Sequence, residues 1–177
     1  MQLPAHVRQM ATYNQWMNDK LYQACASLNP AELAAARGAF FSSILGTLNH
    51  LLVADTIWLK RIQQALPQLA VLQPLAEVAM PASLDALLYD DLTSLTAARQ
   101  QLDQHMLALA AALDDDDLQQ IIGYTNIKGV CFKRQLFGLL MHVFNHQTHH
   151  RGQITTLLSQ AGVDVGVTDL LALLPEY

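Results

Sequence analysis

Four of the chain's seven histidines fall in one short run, at positions 142, 146, 149 and 150. An imidazole ring can bind a divalent metal ion through either nitrogen, or exchange a proton near neutral pH. The run contains two pairs with i,i+4 spacing, His142 with His146 and His146 with His150. On a helix this spacing places two rings one turn apart on the same face, as two ligands of one metal ion require. The run therefore predicts a metal site on a helix.

The apolar residues around this run indicate which of the two pairs faces the protein core. At about 100° of rotation per residue, one helical face collects Leu136, Leu139, Leu140, Val143, Ile154, Leu157 and Leu158. His150 falls inside that face and His146 lies on its edge, whereas His142 and His149 point further toward solvent. Metal sites in helical bundles use ligands that project inward from facing helices. The pair His146 and His150 is therefore the better candidate.

A third ligand has to come from another helix, and His50 is the strongest candidate. It lies at the margin of an apolar face that is formed by Ile44, Leu48, Leu51, Leu52, Trp58 and Leu59. His6 and His105 stand alone in the sequence and are weaker candidates. We therefore predict that His50, His146 and His150 hold one divalent metal ion. The alternative is that they are ordinary core or boundary residues of the two helices.

Three polar residues close to these histidines have open roles. Asp55 lies on the apolar face of the helix that carries His50, where a carboxylate needs a partner. It could pair with Arg151 or another polar group, or it could orient a ligand imidazole. Arg151 could anchor a substrate carboxylate or form an ion pair between helices. Gln147 also lies toward the core side of its helix, and the sequence assigns it no partner.

Four long stretches with helical periodicity must position these side chains, at about residues 4–28, 42–65, 83–113 and 133–161. Ser83 is suited to cap the third helix because its hydroxyl can accept a free backbone N–H. Helices of this length with apolar stripes predict an all-α protein, a four-helix bundle in a single domain over residues 1–177. The connection from 66 to 82 contains three prolines, and its length leaves room for a crossover.

Short β-branched and aromatic runs break the helical pattern between the third and fourth helices. Residues 121–126 and 129–132 flank a turn at Ile127 and Lys128, which predicts a small β-hairpin. The four aspartates just before it, residues 114–117, lack the alternating donors and distal glutamate of a calcium-binding loop. We interpret them as a solvated turn.

Charge and hydropathy exclude several classes of partner. The net charge is −5 and the ten lysines and arginines are scattered, whereas nucleic-acid binding needs a clustered basic face. No apolar run reaches the roughly 20 residues that a transmembrane helix requires. The N-terminus carries no recognisable export signal. We expect a cytoplasmic protein that binds neither nucleic acid nor membrane.

Residues 142–153, which contain Asn145-His146 and His150-Arg151-Gly152-Gln153, resemble the last-helix motif of the DinB-like (DinB/YfiT) family of bacterial proteins. Residues 47–59 resemble the second-helix motif of the same family. Residues 13–18 and 88–92 resemble parts of its first and third helices. The resemblance covers nearly the whole chain, and the last-helix motif is the most specific part of it.

The resemblance implies a four-helix bundle with an up-down-down-up course and a metal ion bound by His50, His146 and His150. Zinc or nickel is the metal it implies, and homodimers are common in the family. Relatives include thiol transferases that use low-molecular-weight thiols, and a thiol-dependent isomerase. The family's link to DNA damage concerns when its members are induced.

Three neutral imidazoles leave a bound divalent ion its full charge and at least one open coordination position, a pattern typical of catalytic sites. Such a donor set suits zinc, nickel, cobalt or iron(II). Our leading hypothesis is a metal-dependent thiol S-transferase acting on a small electrophile. A metal-dependent hydrolase and a non-catalytic, stress-linked metal-binding module are the alternatives. No Glu of an HExxH type follows His146, which weakens a protease interpretation.

Overall fold

Four long helices dominate the computed structural model, which describes residues 2–176. They are α1 (Leu3–Cys25), α3 (Ile44–Ala65), α4 (Leu92–Ala112) and α6 (Leu136–Gln160). Two short helices, α2 (Pro30–Ala34) and α5 (Asp115–Gln119), precede α3 and follow α4. Strands β1 (Ile121–Thr125) and β2 (Cys131–Gln135) form a hairpin before α6, and 3₁₀ turns span Ala70–Glu77 and Leu170–Leu173. The predicted all-α bundle with a small hairpin is confirmed.

The long helices form a square in which α1 and α3 each pack against both α4 and α6. Contacts near both ends of the helix pairs give their directions: Asn49 to Tyr89, Asp55 to Arg99, His50 to His150, Trp58 to His142, His6 to Phe137 and Asn14 to Arg151. Helix α3 therefore runs parallel to α4 and antiparallel to α6, and α1 runs parallel to α6. The course is up-down-down-up, with the crossover in the long connection between α3 and α4.

Apolar side chains from all four long helices fill the centre of the bundle. Leu21, Leu48, Leu95 and Leu158 have no solvent exposure. Fully burying a side chain of this size contributes about 1.5–3 kcal/mol, so the apolar stripes account for most of the driving force of assembly. Over residues 2–176, no helix combines the length and the apolar character needed to cross a bilayer.

The start of α4 differs from the prediction. Ser83 was expected to cap this helix, but α4 begins at Leu92, and the Asp91 side chain accepts the backbone N–H of Ser94. Residues 83–91 instead run as an irregular segment across α3. The physical reason is tertiary. Side chains of α3 form hydrogen bonds with backbone groups of residues 83–91, and these backbone groups would be engaged within the helix if the segment were helical.

The first helix ends at Cys25, earlier than the predicted end at residue 28. Asn29 and Pro30 were interpreted only as a stop signal, but they also begin α2. Asn29 accepts the N–H of Glu32, and the Glu32 carboxylate accepts the N–H of Asn29. This reciprocal capping box stabilises a short helix where the sequence predicted none.

The hairpin is present, and its second strand lies further along the chain than predicted. Tyr124 pairs with Phe132, and Ile121 pairs with Gln135. Because β2 continues to Gln135, the last helix begins at Leu136 and not near residue 133. The aspartate run is not a simple turn, since Asp114 caps the short helix α5 by accepting the N–H of Asp117.

Candidate metal centre

The three predicted histidines converge between α3 and α6. One nitrogen from each of the rings of His50, His146 and His150 lies within 4.8 Å of the other two. His50 Nε2 and His146 Nε2 are 3.1 Å apart. Two nitrogens bound to one tetrahedral zinc ion at about 2.0–2.1 Å would lie roughly 3.3 Å apart. The donor set and its spacing therefore fit a divalent metal ion.

Hydrogen bonds at the opposite ring nitrogens fix two of these imidazoles. His50 Nδ1 lies 2.8 Å from the carbonyl oxygen of Leu84, and His150 Nδ1 lies 2.8 Å from the side-chain oxygen of Gln153. A carbonyl oxygen only accepts, so we assign the proton to Nδ1 in both rings. Each Nε2 is then unprotonated and free to bind a cation, the arrangement that supporting hydrogen bonds produce in known metal sites.

The environment keeps these rings neutral. Burial, with repulsion from His150 and His50 adding to it, lowers the pKa of His146 to about 3. Burial also lowers the pKa of His50, against the opposing effect of its hydrogen bond to Leu84. Burial lowers the pKa of His150 in the same way. Neutral imidazole is the form that binds metal, so the cluster is ready to bind at neutral pH.

An aromatic ring from the segment before α3 covers the cluster. The ring of Phe41 stacks on His50, with centroids 3.7 Å apart and planes 16° apart, and meets His150 edge-on. Ser42 next to it has a φ of +67°, and its backbone pairs with Ala39 in a tight turn. This turn places the half-buried Phe41 against two of the three rings, which limits access of water from that side.

Gly46 makes the position of Phe41 possible. A β-carbon at Gly46 would overlap the carbonyl oxygen of Phe41. Glycine is therefore required in the first turn of α3, because the covering segment lies directly against the helix backbone. The Ser43 hydroxyl caps the same turn by accepting the N–H of Gly46.

Asn49 holds the other covering segment, residues 83–91, against α3. Its side-chain oxygen accepts the N–H groups of Leu88 and Tyr89, and its amide nitrogen donates to the carbonyl of Tyr89. This segment carries Leu84, whose carbonyl orients His50. Asn49 immediately precedes His50 in α3. His50 is a candidate ligand, and Asn49 anchors the segment whose carbonyl group accepts the hydrogen bond from His50.

Asp55 belongs to a buried network of charges next to the cluster. Arg99 donates to Asp55 Oδ2 at 2.8 Å, and its other terminal nitrogen lies 2.9 Å from Asp103 Oδ1. The latter contact is an ion pair that lacks hydrogen-bond geometry. Gln147 also donates to Asp55. Burial lowers the pKa of Arg99, but Asp103 and Asp55 raise it more, so the guanidinium stays charged.

Over residues 2–176, the ion pairs do not include Arg151, so the inter-helix ion pair that the sequence suggested for it is not formed there. Arg151 donates to the side-chain oxygens of Asn14 and Asn18. Asn18 in turn donates to Asp103, so Arg151 joins the same network through an amide. Asp55 pairs with Arg99 and makes no hydrogen bond to a ligand imidazole, in agreement with the structural alternative for that residue.

The remaining histidines lie outside the cluster, as the helical wheel predicted. His142 and His149 are exposed on α6, while His6 packs near Phe137 at the far end of the helix. His105 lines a separate groove on α4. The ring centroid of His142 lies 6.0 Å from that of the half-buried His146, and the centroid of His149 lies 4.8 Å from that of His150, so both exposed histidines adjoin the centre.

Several functional residues were not predicted from the sequence. Gln153 could have been found, because it follows His150 by three residues and so lies on the same helical face. Phe41 and Leu84 lie in irregular segments and act through tertiary contacts, so no periodicity indicates them. Arg99 and Asp103 have i,i+4 spacing, but only the structure brings them to Asp55.

The fold and the site together define a four-helix-bundle protein with an inward-facing cluster of three histidines suited to a divalent metal ion. The sequence profile of the DinB family matches residues 1–176, so the chain belongs to the DinB family. Protein DinB of Bacillus subtilis (strain 168) is 27% identical over 162 residues, which cover 89% of this chain and 87% of that protein.

A solved structure has the same fold. The crystal structure of a DinB-like protein from Bacillus cereus ATCC 10987 superimposes with a TM-score of 0.54 at 21% sequence identity. The alignment covers 85% of this chain and 89% of that chain. At this identity the likeness concerns the fold, and the family assignment rests on the sequence profile.

Proposed function

We propose that this protein binds one divalent metal ion through Nε2 of His50, His146 and His150, and that it catalyses transfer of a low-molecular-weight thiol to a small electrophile. The convergence of three neutral imidazoles from two helices carries the proposal. Zinc and nickel are the metals that the family resemblance implies.

The three ligands leave a position open for a guest. Among the described residues, no carboxylate or thiol belongs to the cluster, so the protein supplies three donors and not four. Closed structural zinc sites have four protein ligands, whereas catalytic sites keep one position for water or substrate. A divalent ion held there would act as a Lewis acid and lower the pKa of a thiol that reaches its open position.

The chain's own residues perform the other tasks. Leu84 and Gln153 hold the ligand rings in one tautomer and one orientation, so no reorganisation is needed when a guest arrives. Phe41 excludes water from one side of the site. The Asp55–Arg99 network joins α3, α4 and α6 and stabilises the bundle that carries the three histidines.

The proposed reaction is R–SH + R′–X → R–S–R′ + HX. The sulfur–carbon bond forms as the carbon–X bond breaks, and the thiol proton leaves with X. With an epoxide the carbon–oxygen bond breaks instead, the oxygen stays on the product, and it takes the thiol proton. Among the described residues, no acidic side chain lies in the cluster to act as a general base for water. A thiol ionises far more readily than water, so this centre is better suited to a thiol than to hydrolysis.

Metal binding is tested first, without any assay of turnover. We expect the purified wild-type protein to contain about one equivalent of metal, and His50→Ala, His146→Ala or His150→Ala to lose it. His142→Ala and His149→Ala are matched controls, because they remove an imidazole from the same helix but outside the cluster. Loss of metal in these controls, with retention in His146→Ala, would contradict the ligand assignment.

Cobalt(II) substitution then tests the open position. Adding glutathione, cysteine or bacillithiol to the cobalt protein should produce a thiolate-to-metal charge-transfer band if the thiol reaches the ion. The band should be absent in His146→Ala and retained in His149→Ala. A cobalt spectrum that no thiol changes would argue against a thiol substrate.

Turnover is measured as loss of thiol in the presence of a chloro-aromatic or epoxide electrophile. We expect activity that disappears with a chelator, returns when zinc or nickel is added, and is absent in His50→Ala. Stoichiometric metal with no turnover across these thiols and a set of esters would instead favour the non-catalytic metal-binding module.

A further inference from the structure

A second cavity lies between the hairpin and the C-terminal half of α3. Its volume is about 630 Å³, which is large enough for a small organic molecule. Tyr124 and Phe132 form an aromatic wall from the hairpin, and Ile57 and Pro81 add apolar surface. We call it the hairpin cavity. None of the three predicted metal ligands lines it.

Arg61 supplies a positive charge to the hairpin cavity without a protein counter-ion. Its guanidinium carbon lies 4.8 Å from the ring centroid of Trp58 and 5.1 Å from that of Tyr124. Over residues 2–176, the ion pairs are those of Arg99 with Asp55 and Asp103, so Arg61 has no carboxylate partner there. Two aromatic faces therefore hold the guanidinium in place while its N–H groups remain available.

Lys133 adds a second positive charge to the lining, whereas no aspartate or glutamate contributes to it. The whole chain has a net charge of −5, so this concentration of positive charge opposes the overall sign of the molecule. Half-burial of the Arg61 side chain lowers the pKa of its guanidinium, as expected for a cation that has lost water without gaining an anion. An anion in the cavity would compensate for that loss.

We propose that the hairpin cavity binds a small organic anion, a carboxylate or phosphate monoester, whose charged group pairs with Arg61 and Lys133. Its apolar or aromatic body would pack against Tyr124 and Phe132. The fixed guanidinium offers the paired donors that match two oxygens of either anion. This binding does not depend on the metal centre.

The position of the cavity connects it with the histidine cluster. His50, Ile57 and Arg61 are spaced seven and then four residues apart, so they share one face of α3. Arg61 lies about 16 Å from His50 along the helix axis. Ring contacts lead from His146 to His142, then to Trp58 and Tyr124, with centroids 6.0, 5.2 and 5.0 Å apart.

Isothermal titration calorimetry with defined probes tests the proposal on the full chain. We expect naphthalene-2-carboxylate or 2-naphthyl phosphate to bind at least tenfold more tightly than the neutral naphthalene-2-carboxamide. Acetate and inorganic phosphate, which lack the apolar body, should bind more weakly than either. Equal affinity for the carboxylate and the carboxamide would overturn the proposal.

Substitutions locate the binding site. Arg61→Gln should weaken binding of the naphthyl anion about tenfold or more, and Arg61→Lys should weaken it less because the charge remains. Lys133 is exposed, so Lys133→Gln gives a second variant whose fold is not at risk. Arg8→Gln and Lys128→Gln remove matched charges outside the cavity and should leave affinity unchanged. An equal loss in these controls would mean that the anion responds to overall charge only.

The metal-free His146→Ala variant separates this proposal from the proposed function. We expect it to bind the naphthyl anion as the wild type does. If His146→Ala binds the naphthyl anion and neither the wild type nor any variant contains metal, only the metal-centre proposal is defeated. Binding that requires the metal would show that the anion sits on the ion and would overturn the proposal for the hairpin cavity.

Discussion

In two of the three imidazoles, those of His50 and His150, the proton is held on the side that points away from the cluster. His50 and His150 donate through Nδ1 to Leu84 and Gln153, so Nε2 of both rings faces the cluster without a hydrogen. Removing either acceptor would let the ring rotate or change tautomer. Small residues and backbone groups around the rings therefore matter as much to the site as the rings themselves.

Gly46→Ala should damage the site without touching a histidine. The added methyl group overlaps the carbonyl of Phe41, so the covering segment must move away from α3. Overpacking of this kind costs about 1–3 kcal/mol. We therefore expect the free energy of unfolding measured in urea to fall by a similar amount and metal binding to weaken. Gly138→Ala is the control, because nothing lies within 4 Å of its β-carbon and alanine should stabilise the helix by about 0.5–1 kcal/mol. Unchanged metal affinity in Gly46→Ala would contradict a role for the Phe41 segment.

Asp55→Asn should lower stability while leaving metal content intact. The change leaves the buried Arg99 with one carboxylate instead of two, and breaking a buried ion pair typically costs about 3–5 kcal/mol. Because Asp55 binds no ligand imidazole, we expect about one equivalent of metal to remain at a temperature where the variant is folded. Asp90→Asn, on the surface, should change neither quantity. Metal loss in a fully folded Asp55→Asn protein would assign Asp55 to ligand orientation.

Cys25 should make the protein less stable in alkali. Burial raises the pKa of its thiol from 9.0 to about 12. Above pH 9 the unfolded chain releases a proton that the folded chain retains, so stability falls as pH rises through this window. The loss between pH 8 and pH 10 should be on the order of 1 kcal/mol, and Cys25→Ala should remove it from urea-unfolding curves. The exposed Cys131 is the control, and an identical pH dependence in Cys25→Ala would refute the assignment.

Helices and strands show where sequence reasoning succeeds and where it stops. The face of α6 that contains His146 and His150 was predicted correctly because a long regular helix has one period. The start of α4 was predicted wrongly because Ser83 has the chemistry of a cap, but residues 83–91 gain more from Asn49 than from helix formation. Local propensity cannot reveal such a competitor, which lies 40 residues away in the chain. The candidate ligand histidines could therefore be proposed from the sequence, whereas the segments that cover them could not.

Asn49→Ala tests the role of the segment 83–91. The change removes three hydrogen bonds to Leu88 and Tyr89 and frees the segment that carries Leu84. We expect a stability loss of about 1–3 kcal/mol and weaker metal binding in competition with a chelator, because His50 loses its acceptor. Asn126→Ala is the matched control, since Asn126 accepts two backbone N–H groups in the hairpin turn away from the site. It should disturb the hairpin and leave metal affinity unchanged, and equal losses in both variants would indicate a general folding defect.

The whole bundle has two polar layers, and both of them link α3 to α6. The charge network joins α1, α3, α4 and α6 through Asp55, Arg99, Asp103 and Arg151, while the histidine cluster joins α3 to α6 only. The network needs no added ion for charge balance, since two arginines face two aspartates. The cluster instead consists of three neutral imidazoles whose ring nitrogens lie close together. A ligand that binds these rings should therefore stabilise the native bundle.

Metal addition should accordingly raise the thermal unfolding midpoint of the chelator-treated protein. An ion that binds only the folded state contributes about 2.7 kcal/mol at a free concentration of 100 times Kd. For a chain of this size about 2–4 °C accompanies each kcal/mol, so we expect a rise of roughly 5–10 °C. The rise should vanish in His50→Ala and in His146→Ala, which remove ligands from opposite helices, and persist in His142→Ala. The same rise in all of these variants would mean that the ion binds elsewhere. If only one of His50→Ala and His146→Ala abolished the rise, the histidines of one helix would suffice to hold the ion.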